Sequence, residues 1–280
     1  MKSKYLSVTI VILSCVLIIA LSSCSLTSTD ASAFTVEKKD CITDIDLAKS
    51  GPDIVVPGKV GTKVIRNMEL FSPHFSKIDS LDLSKVSELE KFDLDISYAG
   101  KKSKLKKLDF SKNENLISLN VNDTNALEEV IFNKNCKSIT LAHTDLRELN
   151  LKSLKGLDDF VYFDGPIDKI DFSGNTNLDY IVFYYTNIKK INLSKLKKIT
   201  FFEYVSGPLE ELDISNNPNL EGLQVYGTNV KVLDISKNHK LRFIQVDEGT
   251  QIIGEINPGA EIRYWTKEDV KELRSKLLDD

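Results

Sequence analysis

Apolar residues recur in this chain at a long, fixed interval. Leu157, Leu178, Ile199, Leu220 and Leu241 stand 21 residues apart, Cys136 precedes them at the same step, and irregular steps lead back to Leu116, Leu89 and Met68. Counted from these nine starts, the third following residue is always apolar: Phe71, Phe92, Leu119, Ile139, Phe160, Ile181, Phe202, Leu223 and Ile244. The fifth is Pro73, Leu94, Val121, Leu141, Tyr162, Phe183, Tyr204, Val225 and Val246, so only the first coil departs. Such alternation predicts a short strand, its third and fifth places inward and its second, fourth and sixth outward. A coil of about 21 residues is too small to bury an apolar face alone, so the coils must stack into a repeat solenoid. A parallel β-sheet is then expected along one concave or flat face. The opposite wall reads as mostly irregular or extended chain, with Ile170/Phe172, Ile191/Leu193 and Leu212/Ile214 turned in.

A longer unit is superposed on the coil. Residues 136–177 and 178–219 align throughout, matching Thr144 with Thr186, Gly165-Pro166 with Gly207-Pro208, and Asn175 with Asn217. Glycine turns without a Cβ penalty and proline then fixes φ, so each Gly-Pro pair sets the direction in which the chain leaves its strand.

The segments Leu178-Asp-Tyr-Ile181-Val-Phe183-Tyr-Tyr-Thr186-Asn-Ile188 and Leu220-Glu-Gly-Leu223-Gln-Val225-Tyr-Gly-Thr228-Asn-Val230 share the pattern L-x-x-L-x-V-x-x-T/G-x-L. Each continues into L-D-x-S-x-N, as in Leu212 to Asn217 and Leu233 to Asn238. This pattern resembles the leucine-rich repeat over about residues 68–256, and among its members the bacterial surface proteins, including internalin-like ones. The resemblance implies an α/β repeat solenoid of about nine coils, and suggests contact with a protein or glycan partner. One departure stands out. Where the family often has an asparagine ladder, this chain has Thr124, Thr144, Gly165, Thr186, Gly207, Thr228 and Gly249, so the turn should be held differently on alternate coils.

The flanks read differently from the repeats. Lys2 and Lys4 precede an uncharged run from Leu6 to Leu21, too short to span a membrane and fitting a signal peptide over residues 1–23. Leu21-Ser22-Ser23-Cys24 resembles the lipobox of bacterial lipoproteins, which implies a lipid on Cys24 and a membrane-tethered, extracytoplasmic protein. Whether the membrane is inner or outer stays open. Residues 24–43 read as a flexible tether and 44–67 as a turn-rich N-terminal cap with a hairpin. Residues 257–280 read as a C-terminal cap. There Glu261 to Trp265 offers a last strand, Thr266 and Asp269 a capping box, and Val270, Leu273 and Leu277 the spacing of a helix.

Composition narrows function mainly by exclusion. Lys+Arg 37 against Asp+Glu 41 gives a net charge of −4, without the basic footprint a nucleic-acid binder needs. Outside the leader and the anchor the thiols are Cys41 and Cys136, and Cys136 occupies a core position. His74, His143 and His239 fall at different repeat offsets, which speaks against a metal cluster. No catalytic or phosphate-binding motif is present, so no catalytic residue and no cofactor is assigned. A remote enzymatic reading pairs Asp159 with Glu203 at about 10 Å, near the upper range for an inverting glycosidase.

The outward places say more. Phe163, Tyr180, Val182, Tyr184, Phe201, Val205, Tyr226 and Phe243 gather on the coils starting at 157 to 241, with Glu203 among them and Asp159 and Asp247 as acidic margins. The coils starting at 89 and 116 present Asp93, Asp95, Asn120 and Asn122 instead. An exposed, one-sided aromatic patch is expected to bind a protein or glycan. Two rivals remain: the rings merely stack between strands, or the solenoid is a stiff envelope spacer.

Overall fold

The computed structural model describes residues 33–37, 40–97 and 103–278; Cys24 and the leader lie outside the described residues. Twelve strands form one sheet in sequence order. They are β1 (Phe34–Val36), β2 (Cys41–Ile45), β3 (Asn67–Phe71), β4 (Lys91–Asp95), β5 (Ser118–Asn122) and β6 (Ser138–Ala142). The series continues with β7 (Asp159–Phe163), β8 (Tyr180–Tyr184), β9 (Phe201–Val205), β10 (Gly222–Tyr226), β11 (Phe243–Asp247) and β12 (Glu261–Trp265). Strand β1 runs antiparallel to β2, and every later pairing is parallel. The sheet thus extends beyond 68–256 at both ends, and β1 and part of β2 occupy the segment read as tether.

From β4 onward the third and fifth places point inward, as the alternation requires, and fuse into one continuous core. Each fully buried Leu, Ile or Phe there contributes about 1.5–3 kcal/mol through removal from water. The first coil needs a correction. Met68 pairs with Phe92 and Leu70 with Leu94, so the inward residues are Met68 and Leu70, while Phe71 lies opposite Asp95 and is exposed. The true start is the buried Ile65, three residues earlier. An irregular step in the repeat had concealed it, and the apparent misfit at Pro73 disappears in this register.

The L-D-x-S-x-N stretch makes the opposite wall by two devices. The carboxylates of Asp82, Asp109, Asp171, Asp213 and Asp234 accept the N–H of the serine two residues on. These serine bonds hold Asp82, Asp171, Asp213 and Asp234 below the usual carboxylate pKa. Asn150 and Asn192 take the same place in alternate coils. The closing asparagine is buried, and its amide donates to carbonyls of the preceding coil: Asn175 to Leu151 and Leu154, Asn217 to Leu193 and Leu196. An irregular wall can therefore be buried with its carbonyls satisfied, which a free loop could not achieve.

The Thr/Gly alternation has a physical cause. Tyr162 and Tyr204, at the fifth place of alternate coils, send their hydroxyls through the core to the turn. There Tyr162 Oη donates to the Leu146 carbonyl at 3.1 Å and lies 3.1 Å from Thr144 Oγ1. Tyr204 Oη donates to Ile188 at 2.8 Å and accepts from Thr186 Oγ1 at 3.2 Å. A Cβ on Gly165 would come within 2.4 Å of the first hydroxyl, and one on Gly207 within 2.3 Å of the second. The glycines make room for tyrosine hydroxyls that bridge the coils in place of an asparagine ladder.

Strand ends share another device. Asp123, His143, Asp164, Tyr185, Ser206 and Gly227, one per coil, all have φ between 46° and 68°. From Asp123 to Ser206, each donates its N–H to the last carbonyl of the next strand, as His143 does to Phe163. At the ends, Lys59–Val60 and Lys63–Val64 form a hairpin, and Thr266 and Asp269 exchange the reciprocal bonds of a capping box before the C-terminal helix, Lys267–Leu278.

Candidate functional site

The face of the sheet turned away from the core carries three outward rows, and the register fixes their order. The middle row reads Glu69, Asp93, Asn120, Thr140, Val161, Val182, Glu203, Gln224, Gln245 and Arg263 from β3 to β12. The row nearest the strand ends reads Phe71, Asp95, Asn122, Ala142, Phe163, Tyr184, Val205 and Tyr226 from β3 to β10, with Asp247 beside Trp265 further on. The row nearest the strand ends is apolar or aromatic from Ala142 to Tyr226, whereas the middle row is polar except at Val161 and Val182.

In the polar half, charges satisfy one another sideways. Lys91 reaches Asp93 at 2.6 Å and Glu69 at 3.4 Å. Asp93 is buried, and this desolvation raises its pKa despite the lysine beside it. Asn122, expected at the surface, is also buried and donates to Asp95 and Ser97. His143 stands at the seam. Its Nδ1 is 3.1 Å from Asn122 Oδ1 and 3.2 Å from Asp123, its Nε2 is 3.8 Å from Asp164, and its ring meets Phe163 edge-on. Burial opposes the imidazolium, but the pairing with Asp123, reinforced by Asp164 and Asp95, prevails and raises its pKa.

The aromatic half brings the expected residues together and buries most of them. Phe163, Val182, Tyr184, Phe201, Val205 and Tyr226 form a second core with Tyr185 and Trp265, while Tyr180 and Phe243 stay half-buried. Their expected exposure is therefore corrected, for two reasons. The rings stack across strands, Tyr180 on Phe201 at 4.9 Å, Phe163 on Tyr184 at 5.4 Å and Tyr226 on Trp265 at 4.3 Å. In addition, the C-terminal helix lies on this face, its Val270 and Leu273 packed against the cluster. Val270 lies over Gly227, where an added Cβ would meet its Cγ1 at 2.9 Å, and the Arg274 guanidinium sits 5.4 Å from the Tyr185 ring centre. The helix read as an end cap thus covers the sheet, and Ile253, Ile256 and Tyr264 of the last coil remain exposed.

Glu203 lies inside this second core at 1% exposure. Its Oε1 accepts the Tyr184 hydroxyl, and its Oε2 has no hydrogen-bond partner. Burial pushes its pKa up to about 7, against the opposing effect of the Tyr184 bond. The same burial, with Glu203 nearby, raises the phenols of Tyr184, Tyr180 and Tyr226.

The carboxylate pair considered for catalysis is not an aligned pair. Asp159 pairs in register with Tyr180 and then Phe201, whereas Glu203 lies two residues further along β9. Two strand spacings and two residues put them about 12 Å apart, with Tyr180 charged upon by both. Asp247 is structural: its carboxylate accepts the N–H groups of Gly227 and Thr228. Cys41 and Cys136 are buried free thiols, with burial pushing both pKa values up to about 12. Among the described residues no group of three His, Cys, Asp or Glu is placed to hold a metal ion.

Trp265, Tyr185, Val270 and Leu273 belong to this site and were not assigned to it from sequence. The available signal was the apolar spacing of the terminal helix, which requires a receiving surface. Its location was not encoded there.

No family model matches the sequence, and no curated protein matches it. Among solved structures the chain is similar to the functional domain of InlJ from Listeria monocytogenes, with a TM-score of 0.54 and 17% identity over 80% of this chain and 57% of that one. An internalin, InlF, from the same species matches at a TM-score of 0.37 and 12% identity, covering 81% of this chain and 89% of the other. A Leptospira interrogans leucine-rich-repeat protein matches at 0.32 and 11%, covering 86% and 98%. Stacked coils of about 21 residues, an unbroken parallel sheet and the first of these likenesses together make the backbone that of a leucine-rich-repeat solenoid.

Proposed function

We propose that this chain is an extracytoplasmic binding module, tethered to a membrane through a lipid on Cys24, that recognises a protein or glycan on the aromatic half of its sheet. The observation that carries this reading is the one-sidedness of the face. Rings at Phe163, Tyr180, Tyr184, Phe201, Tyr226 and Phe243 occupy outward places from β7 to β11, although the solenoid core is already complete without them. Tyrosine and tryptophan concentrate contact energy at interfaces because the ring buries while its polar tip stays paired. Glu203 and Val205 belong to the same surface, and no reaction is assigned to it.

A glycan array and an immobilised panel of surface proteins, probed with wild type and with Tyr184→Ala/Tyr226→Ala, test the reading. Selective capture that falls at least tenfold in the double variant is the expected result. Unchanged capture removes the aromatic face from the function. The spacer alternative has one observation in its favour, the helix covering the face, and it predicts no selective capture at all. Labelling with a radioactive fatty acid, lost in Cys24→Ala, tests the anchor.

A further inference from the structure

The two ends of the solenoid are finished differently. At the N-terminal end β1 folds back antiparallel on β2, and the apolar residues Val36, Ile42 and Ile45 there are buried. At the C-terminal end the inward row continues into β12, where Ile262 pairs with Ile244 and Tyr264 with Val246. Ile262 is only half-buried and Tyr264 is 51% exposed, and Ile256 of the same coil is exposed as well. The C-terminal helix does not close this end. It follows β12 and runs back along the sheet, with Val270 over Gly227 just past β10 and Arg274 over Tyr185 just past β8, so it leads away from the last strand.

Strand β12 is also an edge, paired among the described residues with β11 alone. Glu261 donates its N–H to the Arg242 carbonyl and the Trp265 carbonyl accepts the Glu248 N–H, so the odd-numbered residues bond back to the preceding coil. In a parallel ladder the alternate residues then turn their N–H and C=O to the open side, here those of Ile262 and Tyr264. An open edge beside an exposed apolar row is a template for a further strand. The charges select which strand. Glu261 and Arg263 stand on the outward side, both exposed, the Arg263 guanidinium 3.9 Å from the Trp265 ring centre. In an antiparallel pairing of two β12 strands centred on Ile262, Glu261 of each copy comes opposite Arg263 of the other, an opposite-charge pair made twice. The same register sets Ile262 against Ile262 and the Tyr264 ring against the small Ala260. Centring on Arg263 instead would oppose two like charges.

We propose that β12 is a dimerisation edge, through which a second copy of this chain joins end to end by antiparallel β12 pairing about a two-fold axis at Ile262. The axis stands perpendicular to the sheet, so both inner cores lie on one side and meet at the exposed Tyr264 rings. A two-fold contact is self-complementary, as the reciprocal Glu261 and Arg263 pairs require. The two C-terminal helices then lie at opposite ends of the paired strands, each running back over its own solenoid, and neither obstructs the edge. The edge is distinct from the aromatic face, so each reading stands or falls alone.

The test uses the full-length chain in detergent. Across the axis the Ile262 Cα atoms are about 5.5 Å apart, within disulfide range, whereas the Tyr264 Cα atoms are four residues out of step and about 13 Å apart. Under mild oxidation Ile262→Cys should cross-link to a dimer on a denaturing gel and Tyr264→Cys should not, with oxidised wild type as the blank. Glu261→Cys mixed with Arg263→Cys should cross-link, and neither should do so alone. Sedimentation equilibrium in density-matched detergent should give a dimer for wild type, a dissociation constant raised at least about tenfold in Glu261→Arg, and recovery in Glu261→Arg/Arg263→Glu. A wild type that stays monomeric up to about 100 μM overturns the proposal. Cross-linking through Tyr264→Cys and not Ile262→Cys overturns the register and its charge match. Dimers that survive both Glu261→Arg and Tyr264→Asp lie on another surface and overturn it too, and open-ended growth with concentration overturns the two-fold. Should a charge variant unfold by circular dichroism, the cysteine variants decide alone.

Discussion

The two halves of the sheet face have the same backbone and different fates. From β3 to β6 the outward rows hold Lys91, Asp93, Asn120, Asn122 and Thr140; Lys91 pairs with Asp93 and Asn122 with Asp95, while Asn120 Oδ1 is buried without a hydrogen-bond partner. From β7 to β12 the rows flanking the middle one hold rings that stack and meet a helix, making a second core on the far side of the same strands. The inner core runs through both halves without a break. A solenoid therefore separates two tasks: inward rows decide that the coils stack, and outward rows decide what the stack presents.

The largest expected effect tests whether the inner core is shared. Phe202→Ala in the aromatic half and Leu119→Ala in the polar half should each cost about 3–4 kcal/mol, as truncations in a filled core do. Urea denaturation checks both, and a cost below about 1 kcal/mol in either half would show that its inward row is not packed as described. The next separates the halves by pH. Glu203 has a pKa of about 7 in the folded chain against an ordinary value of 4.5. The stability it contributes is present in full below about 4.5 and disappears as pH rises through about 7, a change of about 3 kcal/mol. The urea midpoint should fall over that range, and the dependence should be lost in Glu203→Gln. His143, whose pKa is also raised, acts in the same direction at the seam from the opposite charge, so His143→Gln should remove only the part of the pH effect seen in β5 to β7.

A smaller effect concerns the turns. Gly207→Ala drives a methyl against the Tyr204 hydroxyl and the Thr186 carbonyl and should cost about 1–3 kcal/mol, whereas Gly156→Ala, with nothing within 4 Å, should be close to neutral. Thermal melts of the two variants make the comparison. Smallest is Lys91→Met, which leaves Asp93 without its lysine and should cost about 1 kcal/mol. That loss should reverse on adding Asp93→Asn, as a double-mutant cycle would show.

Much of this was legible in the chain. The inward rows, the parallel sheet, the closing asparagines and the Thr266–Asp269 box follow from local spacing, because each is a contact between a residue and its own coil or the next. The start of the first coil was misplaced by three residues at Met68, since the repeat there is irregular and the third and fifth places only become visible through pairing with Phe92 and Leu94. The tyrosine bridges were half legible. The Thr/Gly alternation was plain, but the hydroxyls of Tyr162 and Tyr204 that cause it reach across the core from the neighbouring coil.

The sequence by itself determined the period, the direction of the strand side chains from β4 to β11 and the existence of an apolar helix face after Thr266. Only the tertiary structure decided that this helix folds back against the second core, with Val270 over Gly227 and Arg274 over Tyr185, and leaves Tyr264 of the last coil 51% exposed. The reason is physical. Burial of apolar surface is non-directional, so Val270 and Leu273 record a demand for a partner surface without recording which one. The solenoid offered two, an open end and an aromatic face, and the choice between them rests on geometry that no local pattern carries.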